Sequence, residues 1–239
     1  SEDRWRYYPG ETLAAHVLGF VGFDGDTLVG RYGVEQYYED VLTRGENNLY
    51  ANFFAEIFSN LKSRITAPEK QSADVVLTIE PKVELFLESK LGEIKEKWQS
   101  DLVGGIIINP KTGAIYALGA TPSFDPNSYG EYDGQLFANP LTQNVYELGS
   151  IVKPLTMAAG LDSGTVTRET TYNDKGYLEL NEKRIENYDG KGRGVVPMQE
   201  VLNQSLNTGA AFVALKMGKE KFRQYFYAFG LRDTTGIDL

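Results

Sequence analysis

Two short stretches of this chain carry side chains that can do chemistry together. Gly149-Ser150-Ile151-Val152-Lys153-Pro154 sets a hydroxyl and an amine three residues apart at the start of an apolar run. Ser205-Leu206-Asn207 sets a second hydroxyl and an amide in a polar gap between two helix-like runs. On a helix, residues three apart share a face, so Ser150 and Lys153 can come close enough to exchange a proton. A serine hydroxyl is a weak nucleophile until a neighbouring base takes its proton. A lysine can be that base only when burial or a nearby positive charge lowers its pKa. The flanking Ile151, Val152, Leu155 and Met157 suit a buried helix, which would supply the desolvation. Pro154 falls in the first turn, where its missing N–H is not needed. Ser150, at the N-terminal end, lies where backbone N–H groups favour a developing negative charge. Each stretch alone has a plainer reading: an N-cap serine with a solvated lysine, and a polar helix-to-helix connection. Their order, and their place at element ends, favour the chemical reading.

The composition bounds the rest. The chain has 239 residues, enough for one large domain or two smaller ones, with 41% hydrophobic and 24% charged residues. A formal net charge of −9 disfavours binding to nucleic acid. There are no cysteines, so no disulfide and no thiolate metal site. That usage fits a compartment outside the cytoplasm. The single His16 excludes a multi-histidine metal site and weakens any Ser-His-Asp triad. No run of 18 apolar residues spans a membrane, and Ser1-Glu2-Asp3-Arg4 does not open a signal peptide.

The elements that must position the two stretches follow from periodicity and turn chemistry. Residues 1–45 are rich in glycine and short apolar runs, which predicts short strands and turns, with a short helix from Val34 to Leu42. Phe53, Phe54, Ile57, Phe58 and Leu61 recur at helical spacing. Residues 67–72 read as a Pro-containing linker. Asp74 to Ile79 reads as a strand, and Pro81 opens a helix to about Trp98. Val103–Ile108 and Ala114–Leu118 read as a hairpin around Asn109-Pro110-Lys111-Thr112-Gly113. Ser150 to Leu161, Pro197 to Gln204, Thr208 to Met217 and Phe222 to Phe229 read as helices, with Gly218 as a stop. Gly190-x-Gly192-x-Gly194 follows no strand and reads as a flexible loop rather than a nucleotide cradle. His16 reads as a packed residue, and 90–97 as a solvated helix face.

With these residues on the page, the chain resembles the class B penicillin-binding proteins, the monofunctional transpeptidases of bacterial cell-wall synthesis. Arg6-Tyr7-Tyr8-Pro9-Gly10 through Ala14 to Gly22, continued by Gly33-Val34-Glu35, is similar to that family's pedestal signature. Leu77-Thr78-Ile79, the Asn109–Ala117 hairpin and Pro122 to Asn127 resemble the opening of its transpeptidase domain. Gly149-Ser150 with Lys153-Pro154 resembles the nucleophile box, and Ser205 and Asn207 before Thr208-Gly209 the second box. Phe229-Gly230 and Thr235-Gly236-Ile237-Asp238-Leu239 resemble a stretch midway through that domain.

The resemblance implies an α+β fold, an antiparallel sheet with packed helices of the penicillin-binding transpeptidase and serine β-lactamase type. Residues 1–72 would be the end of an extended pedestal, and residues 73–239 the first part of the transpeptidase domain. It implies a D,D-transpeptidase in which Ser150 attacks a D-Ala-D-Ala stem peptide and releases the last D-Ala. Lys153 would be the base, Ser205 would relay protons to the leaving amine, and Asn207 would hold Lys153 and the substrate amide. β-Lactams would acylate the same serine. No metal or organic cofactor is implied. A membrane-embedded glycan polymerase would bind the pedestal, outside the cytoplasm, in a parent protein anchored by an N-terminal helix. A silent scaffold module, or a β-lactam sensor or β-lactamase, is the alternative.

One family feature is misplaced. Lys111-Thr112-Gly113 precedes the nucleophile and sits in a turn, whereas the family's Lys-Thr-Gly follows the second box on a strand lining the cleft. No Lys-Thr-Gly follows Asn207 in this sequence. The expectation is therefore an internal fragment, incomplete in its sheet and oxyanion hole and a poor enzyme alone. Lys153 would then be too exposed for a lowered pKa.

Overall fold

The computed structural model describes residues 6–42 and 74–239. The helix expected from the spacing of Phe53 to Leu61, and the domain boundary expected at 72/73, lie outside the described residues. Two compact units form. One gathers the described residues up to Asn144 together with Ile237–Leu239, and the other is Val145–Gly236. The secondary structure is the expected mixture of helices and antiparallel strands. Among the described residues the strands pair as separate two-stranded ribbons.

In the first unit, helix α1 (Ala15–Leu18) ends at Gly19 and leads into the hairpin β1 (Phe20–Asp24) and β2 (Thr27–Arg31). Gly19 is obligatory. Its φ is 70°, and a Cβ there would lie 2.0 Å from the Tyr32 carbonyl oxygen. The helix expected over 34–42 is broken in two, α2 (Gly33–Tyr37) and α3 (Glu39–Leu42), with Tyr38 at φ −103° between them. Asp74 to Ile79 is extended and buries alternate residues, yet it forms no regular ladder. Its ties to the following hairpin are Thr78 Oγ1 to Ile115 O at 2.7 Å and Glu80 N to Tyr116 O at 2.8 Å. Val75, Leu77 and Ile79 pack on the core around Val17, Val34 and Leu118.

Helix α4 (Pro81–Trp98) lies on the hairpin β3 (Val103–Ile108) and β4 (Ile115–Thr121), and the short helix α5 (Pro140–Gln143) packs on β3. Its first turn holds Pro81, whose missing N–H costs nothing there. The Asn109–Gly113 segment is the expected turn. Asn109 Oδ1 accepts from Lys111 N at 2.9 Å, Asn109 O accepts from Gly113 N at 2.8 Å, and Gly113 has φ 78°. Lys111-Thr112-Gly113 is thus a hairpin tip.

The stretches that carry the family resemblance in this unit hold one another. Arg6 grips Glu35 with a two-pronged contact, NH2 to Oε2 at 2.9 Å and Nε to Oε1 at 2.8 Å. Tyr8 OH donates to Glu35 and accepts from Val21 N. Asn127 closes both backbone groups of Tyr8, accepting from its N and donating to its O, each at 2.9 Å. Below them Phe20, Phe124 and Phe137 form an edge-to-face aromatic core with Tyr129 stacked on Phe20 at 4.4 Å. Each such pair contributes about 0.5–1.5 kcal/mol beyond area burial. His16 is 3% exposed, packs edge-on to Phe124 and bonds Leu136 O at 3.0 Å, the packed role expected. Burial lowers its pKa. No described helix is long and apolar enough to cross a membrane.

The helix face toward β4 hides a pair of carboxyls. Glu84 is fully buried, and its Oε2 accepts from Leu118 N at 2.8 Å. Glu88 Oε1 accepts from Ala14 N at 2.9 Å. Gly119 makes the room, since a Cβ there would come within 3.1 Å of Glu84 Oε1. That Oε1 gains a hydrogen-bond partner only when one of the two carboxyls carries a proton. Burial and the neighbouring Glu84 push Glu88 up to about 7. A carboxyl raised in the folded state gives its full stability below its unfolded pKa and loses it as pH rises through the folded one. Between pH 5 and pH 8, wild-type unfolding should shift down relative to Glu88→Gln, whose amide can donate to Glu84 at any pH. Because water partly reaches Glu88, the relative gain of the variant at pH 8 should be modest, about 2 °C in thermal unfolding followed by circular dichroism.

Candidate active site

The second unit begins with a 3₁₀ turn, Gly149–Val152, that runs directly into helix α6 (Lys153–Asp162). Gly149 starts the turn at φ 57°, and Pro154 falls in the first turn of the helix. The single helix expected from Ser150 is therefore wound tighter over its first residues. This keeps Ser150 at the exposed tip and turns Lys153 inward. The flank is less uniformly buried than its composition suggests. Met157 is 5% exposed, whereas Ile151 is 69% exposed.

The chain then forms β5 (Thr171–Asp174), the hairpin β6 (Tyr177–Leu180) and β7 (Lys183–Glu186), and β8 (Gly194–Pro197), which pairs with β5. Asn181 and Glu182, both at positive φ, make the two-residue turn between β6 and β7. Helices α7 (Met198–Asn203) and α8 (Asn207–Met217) follow, with Ser205 in the short link between them. Helix α9 (Lys219–Ala228) closes the unit. Helices α6 and α8 meet closely because Gly160 leaves space for Val213; a Cβ at Gly160 would lie 2.5 Å from Val213 Cγ1. Leu206, 1% exposed, anchors the link into the core of Met157, Val201 and Val213.

This packing brings three of the four sequence-predicted residues together. Lys153 Nζ donates to Ser150 Oγ at 3.1 Å, to Ser205 Oγ at 2.9 Å and to Ser205 O at 2.6 Å. All three ammonium protons are thus used. The partners differ in kind. The Ser205 carbonyl can only accept, so one N–H stays pinned to it. The two hydroxyls can reverse. A neutral Lys153 can accept the Ser150 proton while still donating to Ser205, and Ser205 Oγ can carry a proton onward.

Lys153 is buried, 9% exposed, and desolvation lowers its pKa. The expectation of a lysine too exposed for this does not hold. Helices α6 and α8 and the Ser205 link enclose the amine within this unit. Ser205 has φ 52°, a left-handed backbone that costs a serine roughly 1–2 kcal/mol. That conformation turns its carbonyl and hydroxyl to the same amine.

Asn207 is placed differently. Its Nδ2 donates to Glu186 O at 2.7 Å, at the end of β7, and makes no hydrogen bond to Lys153. Asn207 is half-buried and Ser150 is exposed.

Sequence reasoning missed a buried polar cluster behind the second box. Asp174 is 1% exposed, Asn187 3% and Thr208 4%. The 190–194 segment, expected as a loose loop, is tied to this cluster. Arg193 N donates to Asp174 Oδ2 at 3.2 Å, and Gly192 packs so closely that a Cβ would lie 2.7 Å from Asp174 O. The Arg193 fork, at 2.8 and 2.9 Å, holds the Asp189 carboxyl down at about 2, and Arg193 Nε reaches Gln204, next to Ser205. Asp174's side-chain partners Asn187 and Thr208 lie 13 and 34 positions away, so no local pattern could reveal them.

Residues 103–239 match the family described as the penicillin binding protein transpeptidase domain. Stage V sporulation protein D of Bacillus subtilis is 32% identical over the whole chain. The peptidoglycan D,D-transpeptidase MrdA of Escherichia coli is 30% identical over 98% of it. The probable peptidoglycan D,D-transpeptidase FtsI of Caulobacter vibrioides is 27% identical over the whole chain. The chain spans 37%, 41% and 36% of these relatives, respectively.

The geometry makes Lys153 a perturbed amine, which is directly measurable. With lysine labelled with ¹³C at Cε, the Lys153 resonance should titrate below the ordinary lysine value of about 10.4. A midpoint at or above that value would contradict the enclosed site.

Proposed function

The chain belongs to the penicillin-binding protein transpeptidase family, and from that membership we propose that it works as a peptidoglycan D,D-transpeptidase with Ser150 as nucleophile. The observation that carries the proposal is the Lys153 amine held between the Ser150 and Ser205 hydroxyls. Ser150 Oγ attacks the carbonyl of the penultimate D-Ala of a stem peptide while its proton passes to neutral Lys153. The tetrahedral intermediate collapses as Lys153, through Ser205 Oγ, delivers a proton to the nitrogen of the departing D-Ala. An acyl-enzyme ester remains. The amine of a neighbouring stem attacks it, its proton returns along the same path, and the cross-link is released with Ser150 restored. Asn207 holds the substrate amide. A β-lactam presents the same acyl chemistry to Ser150 and stays bound as an ester.

Such cross-linking takes place outside the cytoplasmic membrane, where nascent glycan strands lie. We further propose that the pedestal part, with its Arg6–Glu35 tie, docks a membrane-embedded glycan polymerase. The base must be neutral to act. The lowered pKa of Lys153 therefore makes acylation rise with pH through a midpoint below that of an ordinary lysine.

A fluorescent penicillin added to the full-length protein should label wild type. Ser150→Ala should abolish the adduct, and Lys153→Ala should slow it about 10²–10⁴-fold, the usual contribution of a general base. Undiminished labelling of Ser150→Ala would overturn the assignment of the nucleophile. Absence of labelling in correctly folded wild type would favour the scaffold reading.

A further inference from the structure

Behind the second box, the start of α8 lacks a capping side chain of its own, because its N-cap residue is Leu206. The missing acceptor comes from elsewhere in the unit. Thr208 N donates to Asn187 Oδ1 at 3.2 Å. Asn187 Nδ2 donates to both oxygens of Asp174, at 3.0 and 2.9 Å. The Thr208 hydroxyl lies between two acceptors and can donate to either, 2.9 Å from Asp174 Oδ1 and 3.0 Å from Asn187 Oδ1, with the Tyr172 hydroxyl at 3.3 Å. Gly176 N and Arg193 N complete the set of donors on Asp174.

Every donor to this carboxylate is an uncharged group. A carboxylate so deeply buried is costly unless such bonds satisfy it. A purely apolar plug would be cheaper to fold, so the cluster's geometry is its asset. One residue before Thr208, Asn207 Nδ2 is bonded to Glu186 O, one residue before Asn187. Two adjacent rungs therefore fix the start of α8 to the end of β7. Ser205 lies immediately upstream, in a left-handed conformation that a free link would relax. Gly209 lets α8 sit against α7 at this point, since a Cβ there would lie 2.3 Å from Val201 Cγ2.

We infer that Asp174 is a positioning residue, which through Asn187 and Thr208 fixes the start of α8 and so holds the Ser205 carbonyl and hydroxyl on Lys153. It touches neither substrate nor the reacting atoms. Its importance for acylation rests on the transpeptidase proposal, while its hold on Lys153 does not. If the clamp loosens, Ser205 recedes, water reaches the amine, and Lys153 titrates closer to an ordinary lysine. A direct charge effect would do the opposite, because removing a negative charge makes an ammonium easier to deprotonate. The sign of the shift separates the two.

The test compares Asp174→Asn, Thr208→Val and Thr208→Ser in the full-length protein, reading the ¹³Cε titration of Lys153 and the rate of labelling by fluorescent penicillin. Asp174→Asn and Thr208→Val should both raise the Lys153 midpoint and slow labelling about tenfold or more. Thr208→Ser, which keeps the hydroxyl, should stay near wild type. An unchanged or lowered midpoint in folded Asp174→Asn and Thr208→Val would overturn the inference. If wild type is not labelled but both variants still raise the midpoint, the positioning role stands and the transpeptidase proposal fails.

Discussion

A buried amine with three acceptors is the constraint on which the second unit depends. Desolvation lowers the pKa of Lys153, and a desolvated ammonium is tolerable only where each proton has a partner. The fold meets both demands with few residues. Gly160 lets α6 approach α8, Leu206 pins the link between α7 and α8, and Ser205 adopts a left-handed backbone to present two oxygens at once. The strain at Ser205 is small beside the bonds it permits, since hydrogen bonds to charged groups contribute about 1.5–3 kcal/mol each. Ser150, on the tighter 3₁₀ turn, keeps its hydroxyl at the surface and still reaches the amine.

The first unit uses polar groups toward a different end. Its interactions join segments far apart in the chain: Arg6 with Glu35, Tyr8 with Asn127, His16 with Leu136, and Ala14 with Glu88. In this way the stretches that resemble the family's pedestal and those that resemble the opening of its transpeptidase domain share one core. The family match begins at residue 103, whereas the compact unit runs across that point to Asn144. Residues 103–144 thus belong with the N-terminal stretches in packing and with the later residues in sequence family.

Much of this was legible in the sequence, because the signals were local. Pro81, the Asn109–Gly113 turn, Gly218 and the three-residue spacing of Ser150 and Lys153 each act within a turn or two of chain. The turn chemistry was also sufficient to set aside Lys111-Thr112-Gly113. What remained hidden depends on pairing at long range. The burial of Lys153 comes from α8 and from Ser205, 52 positions away. The charge pattern over 90–97 suggested a solvated face and is one, with Lys90 paired to Glu93. It gave no hint of Glu84 and Glu88, two acidic residues on the side of the same helix that faces the protein. Asp174, Asn187 and Thr208 are ordinary loop and cap residues by type, and only the antiparallel return of the chain makes them one cluster. The break in the helix at Tyr38 likewise went unseen in a continuous helical pattern.

The central claim is that Ser150 is the residue acylated by a peptide ending in D-Ala-D-Ala, with Lys153 as its base. The most direct measurement is peptide mapping by mass spectrometry of the full-length protein, quenched at low pH during turnover of a thioester analogue of the stem peptide. The account predicts the acyl mass on the peptide bearing Ser150, accumulating faster as pH rises and absent in Lys153→Ala on the same timescale. An acyl group mapped to another side chain, or acylation of Ser150 at an unchanged rate in Lys153→Ala, would contradict it.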